Sequence, residues 1–206
     1  MQSAAHERGM ALISALLVLL VLTILAVGMF RSFGIQQKMA GNTRERQRAL
    51  HASESAQAFA EWWLSSGAGI NATAGVQCTS LVTANSAQVC SNLLTTVMAS
   101  ATNGVATVPW TVGGAEVGVT FIPPGLTVGT DGPDMYYLAP RFYISYLTGS
   151  YNTQTGTTTS SYQVDATGYG GSANAIAVVE STYVVSSTYT TQSQSSKSKF
   201  YNLGGP

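Results

Sequence analysis

The sequence predicts an α+β protein in which a long N-terminal helix packs on an antiparallel β-sheet of about four strands. Three features predict this class: an apolar run near the N-terminus, a proline-free stretch that continues it, and a C-terminal half in which apolar and polar residues alternate. Periods of about 3.6 and 2 residues identify helices and strands. We expect a transmembrane half of the helix at 10–30, an amphipathic half at 31–66, a variable connecting region at 67–106, the sheet at 107–186 and a polar flexible tail at 187–206.

The apolar run at 11–30 contains two polar side chains, Ser14 and Thr23, and no charge. At about 1.5 Å per residue, a helix over 10–30 crosses the ~30 Å hydrocarbon core of a bilayer. A secretory signal peptide has a shorter apolar region, and its cleavage site follows that region. Here the small residue after a cation, Gly9, precedes the run. Cleavage at this place would leave the span on the mature chain.

The helix is expected to continue beyond the apolar run to about Leu64. No proline interrupts residues 10–64, and good helix formers dominate. Small and aromatic residues then recur at helical spacing, which predicts a face that packs closely on the sheet: Ala49, Ala52, Ala56, Phe59 or Ala60, and Trp63. Gly67 and Gly69 are expected to end the helix.

Four segments of alternating apolar and polar residues are predicted as strands. They are Glu116–Ile122, Arg141–Leu147, Ser161–Gly168 and Ala173–Val185. The glycine-rich turn at 169–172 and short connections favour a meander that the helix covers on one face. Before the sheet, a short helix is expected from Asn85 to about Met98. The Ser-, Thr- and Gln-rich tail has little to bury and is expected to be mobile unless a neighbour orders it.

Composition argues against catalysis and against nucleic-acid binding. The net charge is zero, and only eight Asp, Glu, Lys or Arg residues follow residue 61, so the folded part lacks a basic face. The two histidines, His6 and His51, lie near the start and on the long helix, which leaves the globular part without a histidine base. Ordinary turn chemistry explains the two aspartates at 131–134 better than calcium binding does. We expect no enzyme activity, no cofactor and no metal site.

Several segments, in order along the chain, resemble one family. Arg8-Gly9 followed by Met10 and the apolar run resembles the class III leader of type IV pilins and pseudopilins. Downstream segments are similar to minor pilins of the PilX type: 34–42, 44–46, 49–56, 166–171 and 175–183. The resemblance implies a type IV pilin-like fold and a leader peptide at 1–9. It also implies that prepilin peptidase cuts between Gly9 and Met10 and that the new N-terminus, Met10, is methylated.

Ser14 departs from the family pattern. Most pilins carry a glutamate at this place, and the resemblance implies that this carboxylate pairs with the N-terminus of a neighbouring subunit. A carboxylate in hydrocarbon is costly and is retained where it has a partner. Ser14 cannot supply the charge, so we expect a subunit at the tip or in a priming complex. The alternative is that Ser14 bonds a helix carbonyl and that assembly depends on packing.

Cys78 and Cys90 are the only cysteines, and they lie close together in a Ser-, Thr- and Ala-rich stretch. In an exported domain an even count and a short loop indicate a disulfide, which contributes roughly 2–4 kcal/mol to stability. Two buried free thiols are the alternative. A metal site is disfavoured because no Cys-x-x-Cys pair and no nearby histidine accompany them.

The family resemblance therefore implies a minor pilin that is incorporated into a type IV pilus and helps to initiate assembly or lies near the tip. Its partners would be the major pilin, other minor pilins and prepilin peptidase, with no nucleic acid. Before assembly it would be a single-pass protein of the bacterial inner membrane with a periplasmic C-terminal domain, and afterwards part of the extracellular pilus.

Three alternatives remain open at this point, and one observation conflicts with the orientation. One is a single-pass membrane protein unrelated to pili. A tyrosine-rich β region would suit a tip adhesin that binds a surface or host, although tyrosines also fill cross-strand pairs. A type II secretion pseudopilin would carry the same kind of leader. The conflict is that five cations between residues 31 and 48 follow the span, and by the positive-inside rule they would place the C-terminal domain in the cytoplasm. The cysteine pair and the family resemblance favour export.

Overall fold

The computed structural model describes residues 4–66, 75–94, 108–129, 134–187 and 192–202, with side chains for all of these except 4–9, 31–32 and 192–202. The chain forms two compact units, Met1–Arg44 and Glu45–Pro206. The first unit is helical wherever it is described. The second contains the end of the same helix and the β-sheet.

Helix α1 extends from Ala4 to Ser65. Its continuity follows from the absence of proline, since every interior N–H can bond to the carbonyl four residues earlier. The helix ends where the N–H of Ser66 donates to the carbonyls of both Trp62, at 3.0 Å, and Trp63, at 3.1 Å. The predicted long helix is confirmed, and its end lies one residue beyond the expected Leu64.

Eight strands follow in the described residues. They are β1 Leu81–Thr83, β2 Thr111–Val112, β3 Ala115–Glu116, β4 Gly118–Thr120, β5 Arg141–Asn152, β6 Thr157–Tyr169, β7 Ile176–Ser187 and β8 Gln192–Asn202. Six of them form one sheet in the order β1-β4-β5-β6-β7-β8, while β2 and β3 form a separate ribbon. Strands β4 to β8 pair antiparallel, and β1 pairs parallel with β4.

The α+β layout and the antiparallel meander β5–β6–β7 are confirmed. The strands predicted at Arg141–Leu147 and Ser161–Gly168 are longer in the structure, the one predicted from Ala173 begins at Ile176, and the segment Glu116–Ile122 is divided between β3 and β4. The sheet differs in being mixed and in having six strands, within the described residues, instead of about four. Strand β1 arises from the region predicted as a connection. Where a helix was expected from Asn85, the chain has a 3₁₀ turn at Ala84–Ser86 and then an extended bridge at Cys90; residues 95–98 of that predicted helix lie outside the described part.

Strand β8 corrects the expectation of a flexible tail. It pairs with β7 from Ser187↔Gln192 to Ala177↔Asn202, over the full length of β8. Ladder hydrogen bonds join backbone groups, which every non-proline residue carries, so a polar sequence that buries little can still form an edge strand. Residues 203–206 of the predicted tail lie outside the described part.

One core lies between helix α1 and the sheet. Four residues of the predicted stripe are buried there, Ala49, Ala52, Ala56 and Ala60, whereas the predicted Trp63 is half-buried and its neighbour Leu64 is buried instead. It packs on residues of β5 and β6 that alternate along the strands: Phe142, Ile144, Val164 and Ala166. The aromatic ring of Phe59 stacks on that of Phe121 with centroids 4.3 Å apart. Small side chains on the helix let its backbone approach the sheet closely, as the sequence pattern predicts.

A second core covers the opposite face of the sheet. Tyr143 and Val178 project to this side and contact Trp110, Val117 and Leu94, all of them buried. The cysteine pair belongs to the same cluster. Because both faces of the sheet are covered, the central strands read as mostly buried rather than as alternately buried and exposed.

Candidate assembly surface

The first candidate surface is the apolar part of helix α1. Within the described residues, one helix is long and apolar enough to cross a membrane, with a mean hydropathy of 3.0 over its most apolar window and none of that window buried. From Met10 to Phe30 every residue is exposed. A membrane-length helix with no buried face needs lipid or other helices around it, because exposed apolar surface of this size is unfavourable in water.

The two polar side chains of this segment are satisfied inside the helix. The hydroxyl of Ser14 donates to the carbonyl of Ala11 at 3.0 Å, and that of Thr23 donates to the carbonyl of Leu20 at 2.8 Å. Back-bonding of this kind hides a hydroxyl from hydrocarbon. The segment therefore presents an apolar surface with no charge and no unsatisfied polar side chain from 10 to 30.

Gly9 and Met10, the predicted cleavage residues, both lie within helix α1, and the Met10 side chain is 75% exposed. The bond between them is at the border between a polar segment and the apolar surface. Cleavage and methylation at this bond remain predictions.

A group of polar contacts attaches helix α1 to the loops that flank the sheet. The Arg48 guanidinium donates to Glu45 Oε1 at 3.0 Å and to the carbonyl of Met135 at 2.7 Å, and it lies 4.5 Å from the ring centre of Tyr136. The other carboxylate oxygen of Glu45 accepts the N–H of Gly171. Charge-assisted bonds to backbone groups fix the helix to the 134–137 segment and to the turn after β6.

Glycines make this close approach possible. A Cβ at Gly168 would overlap backbone atoms of Ala49 and Ser53 on the helix, and one at Gly170 would lie 2.6 Å from the carbonyl of Glu45. In the sequence these segments are visible only as family-like motifs, and no pattern there predicts that Glu45 or Arg48 contacts the sheet loops. Adjacent glycines were the one available signal, since glycine often marks close backbone approach.

Cys78 and Cys90 form a disulfide, with their Cα atoms 5.4 Å apart. The bond lies against the sheet because Cys90 behaves as a one-residue strand beside β5. Its N–H donates to the carbonyl of Ile144 at 2.7 Å, and its carbonyl accepts the N–H of Tyr146 at 3.0 Å. The predicted pairing is therefore present, and it connects the 75–91 segment to a central strand.

Removing this disulfide should destabilise the domain. In the Cys78→Ser, Cys90→Ser double variant, we expect the free energy of unfolding to fall by about 2–4 kcal/mol, because the unfolded chain gains loop freedom. Denaturant unfolding of the full chain in detergent, followed by fluorescence, measures the change. Treating the parent with reductant should give the same loss. An unchanged midpoint in both samples would show that the contacts of Cys90 with β5 suffice without the covalent bond.

A buried carboxyl lies on the face of the sheet that carries Tyr143. Asp165 in β6 is fully buried, and burial raises its pKa to about 7, although the Gln163 amide donates to both carboxyl oxygens at 3.0 and 3.1 Å and lowers it. The nearby Glu180 charge raises the pKa further. Glu180 lies directly opposite Asp165 on β7 and is half-buried.

Comparison with known families decides the identity of the chain. Residues 8–58 match the family described as PilX N-terminal, and residues 86–185 match the family described as type IV pilus assembly protein PilX, C-terminal. The two matches include most of helix α1, strands β2 to β6 and most of β7. The chain belongs to the PilX family of type IV pilus assembly proteins. No curated protein and no solved structure gives a significant match.

Membership in the PilX family has three direct consequences. The protein is a minor pilin of type IV pilus assembly, and its role in that family is structural and not catalytic. It associates with other pilus components. Its exposed apolar helix is able to anchor it in a membrane, and its location is associated with the pilus.

The tyrosines of this PilX protein are mostly structural. Tyr143, Tyr162, Tyr169 and Tyr183 are buried. Tyr162 pairs across the strands with Tyr183 and packs edge-on against Tyr146, with ring centres 5.8 Å apart. Tyr151 differs from these tyrosines, because 64% of its surface is exposed. The described residues contain no group of three His, Cys, Asp or Glu side chains that could hold a metal ion; three of the residues at 131–134 lie outside that part.

Proposed function

We propose that this PilX protein is cut between Gly9 and Met10 by prepilin peptidase, methylated at Met10, and held in the inner membrane by residues 10–30. From there it enters a type IV pilus, where it helps to initiate assembly or lies near the tip. The observation that carries the proposal is the fully exposed, uncharged, membrane-length segment of α1 that starts one residue after Gly9. Such a surface suits first lipid and then the helices of the major pilin and other minor pilins.

The chemistry of Ser14 supports a special place in the filament. Its hydroxyl is neutral and donates to the carbonyl of Ala11, and residues 10–30 contain no carboxylate for the charged N-terminus of a neighbour. A subunit without that acceptor loses an ion pair that would be strong in a low-dielectric surrounding. Such a subunit is therefore better suited to a position in the filament where the ion pair with a neighbouring N-terminus is not needed.

The periplasmic orientation of the sheet domain is part of the proposal. The disulfide supports it, because disulfides persist in oxidising compartments. The cations that follow the span would favour the opposite orientation. Arg48, one of these cations, bonds to Met135 and Glu45 in the folded domain. Its charge therefore has a structural role that is independent of membrane orientation.

Two other functions carry less support. A tip adhesin would present its aromatic residues, whereas of the eight tyrosines whose side chains are described, four are buried and three are half-buried. A type II secretion pseudopilin would share the leader and the span, but the PilX matches favour a pilus. Deletion of the gene distinguishes the two functions. Loss of a pseudopilin would abolish enzyme secretion, whereas loss of a minor pilin would abolish pili.

N-terminal sequencing and intact mass of the protein from membranes test the proposal. With prepilin peptidase present, we expect a mature chain that starts at methylated Met10. Gly9→Leu should leave the full leader in place, because a bulky residue replaces the small one at the bond to be cut. The matched control, Gly28→Leu, lies in the same helix away from the bond and should be cut as in the parent. An uncut parent chain in peptidase-positive cells would refute the proposal.

A further inference from the structure

The second half of strand β5, from Leu147 to Asn152, forms an open sheet edge. Strand β4 pairs with β5 only at Arg141 and Phe142, and Cys90 pairs with it at Ser145. A bulge between Tyr146 and Thr148 follows. Leu147 is the bulged residue, and within the described residues 148–152 pair only with β6; all six residues from 147 to 152 are exposed. We call residues 147–152 the open edge.

The open edge is supported rigidly from behind. Residues 148–152 pair one to one with Thr157–Ser161 of β6, which pair in turn with β7, and β7 pairs with β8 along its length. Six residues at about 3.3 Å each make an edge of roughly 20 Å. It presents backbone N–H and C=O groups in a fixed extended array, which is the template that an added strand requires.

The open edge and strand β8 differ in charge. Strand β8, an outer edge of the sheet, carries Lys197 and Lys199, and lysines on an edge strand discourage pairing with other chains. The open edge has neither lysine nor proline. No charged residue occurs anywhere from 142 to 164, between Arg141 at the start of β5 and Asp165 within β6. Unlike β8, the edge at 147–152 therefore lacks the charged residues that natural sheets use against added strands.

We propose that the open edge binds an extended, uncharged segment of another pilus subunit as an added β-strand. The choice of a pilus subunit as the partner rests on the proposed function, since PilX proteins associate with pilus components. Main-chain hydrogen bonds supply the attraction, and the exposed side chains of Leu147, 39% exposed, and Tyr151 offer apolar contact area beside the new strand.

Charge identifies the occupant. A segment with Lys, Arg, Asp or Glu would lie along a hairpin that offers it no charged side chain between residues 142 and 164, so its charges would lose water without gaining partners. A neutral Ser-, Thr-, Gly- or Asn-rich segment avoids this cost. The bulge sets the start of the added strand at Leu147, because Cys90 occupies the preceding part of the edge.

Photo-crosslinking in cells that assemble pili tests this proposal with the full chain. Tyr151 is replaced by benzoylphenylalanine, an aromatic residue of similar shape, and the adduct is identified by mass spectrometry of its peptides. We expect an adduct with a different pilus subunit, mapped to an uncharged segment. Thr148→Lys, on the open edge, should lower its yield at least about fivefold.

Gln154→Lys is the matched control, because it adds the same charge to the exposed turn of the same hairpin and should leave the yield unchanged. Equal yields in all three chains, an adduct with a second copy of this chain, or an adduct with lipid would each overturn the proposal. The N-terminus is read from the same sample. An uncut leader would count against the proposed function alone, since the edge and its adduct do not depend on cleavage.

Discussion

Gly168→Ala is expected to destabilise the Glu45–Pro206 unit by about 4 kcal/mol or more, because the added methyl group has no space. Its Cβ would overlap the carbonyl oxygen of Ala49 and the amide nitrogen of Ser53. Both are backbone atoms of helix α1, so neither can move without displacing the helix. The helix would have to lift from β6, which exposes the core formed by the alanine stripe with Phe142, Ile144, Val164 and Ala166.

Denaturant unfolding of the full chain in detergent measures this loss. Trp62, Trp63 and Trp110 report it by fluorescence, since the first two lie on the helix and the third is buried behind the sheet. The matched control is Gly41→Ala, where nothing lies within 4 Å of the added Cβ. Replacing this helical glycine should cause no loss and could add up to about 1 kcal/mol. If Gly168→Ala stayed within 1 kcal/mol of the parent, the close helix–sheet approach would be wrong.

The second large effect is a pH dependence carried by Asp165. Burial raises the pKa of this carboxyl in the folded state to about 7, against 3.8 for an unperturbed aspartate. Between these two values the folded state binds more protons than the unfolded state. The free energy of unfolding therefore falls as the pH rises from about 4 to about 7, by a total on the order of 4 kcal/mol. Below pH 4 this contribution is fully present.

Asp165→Asn should remove most of that slope, because an amide of the same shape stays neutral at every pH. The variant is expected to be more stable than the parent at pH 8 and close to it at pH 4. Two neighbours face the same site: Tyr143, whose pKa burial raises, and Glu180, whose charge raises that of Asp165. A matched Glu54→Gln change, on the exposed side of helix α1, should keep the slope of the parent. Identical slopes in all three chains would refute the assignment.

Local periodicity explains which parts of the fold were predictable. The long helix and strands β5, β6 and β7 show their periods of residue type within each segment of the sequence, and the alanine stripe lies on the predicted face. The parallel pairing of β1 with β4 joins residues that are more than thirty positions apart along the chain, and no short-range pattern encodes it. Strand β8 was missed for a different reason: its edge pairing uses backbone groups, and its polar side chains resemble those of a mobile tail.

The candidate functional residues also divide into those that the sequence makes visible and those that only the structure brings together. The order of Gly9, Met10, the apolar run and Ser14 was visible in the sequence because these residues are adjacent. The attachment of Arg48 was not, since its partner Met135 lies 87 positions away, and Gly171 lies 126 positions from Glu45. The disulfide was partly predictable, because two cysteines in a short loop leave a single possible pairing.

The attachment at Glu45 and Arg48 also has a mechanical consequence. In the sheet unit, helix α1 begins at Glu45, and its first turns carry the ionic contacts, the bonds to Met135 and Gly171 and the close approach to Gly168. A pull applied to this unit at Glu45 therefore loads these bonds before the C-terminal part of the alanine stripe. Peeling the helix from the sheet would have to start by breaking several bonds together. The weaker apolar contacts that follow are loaded only after those bonds have failed.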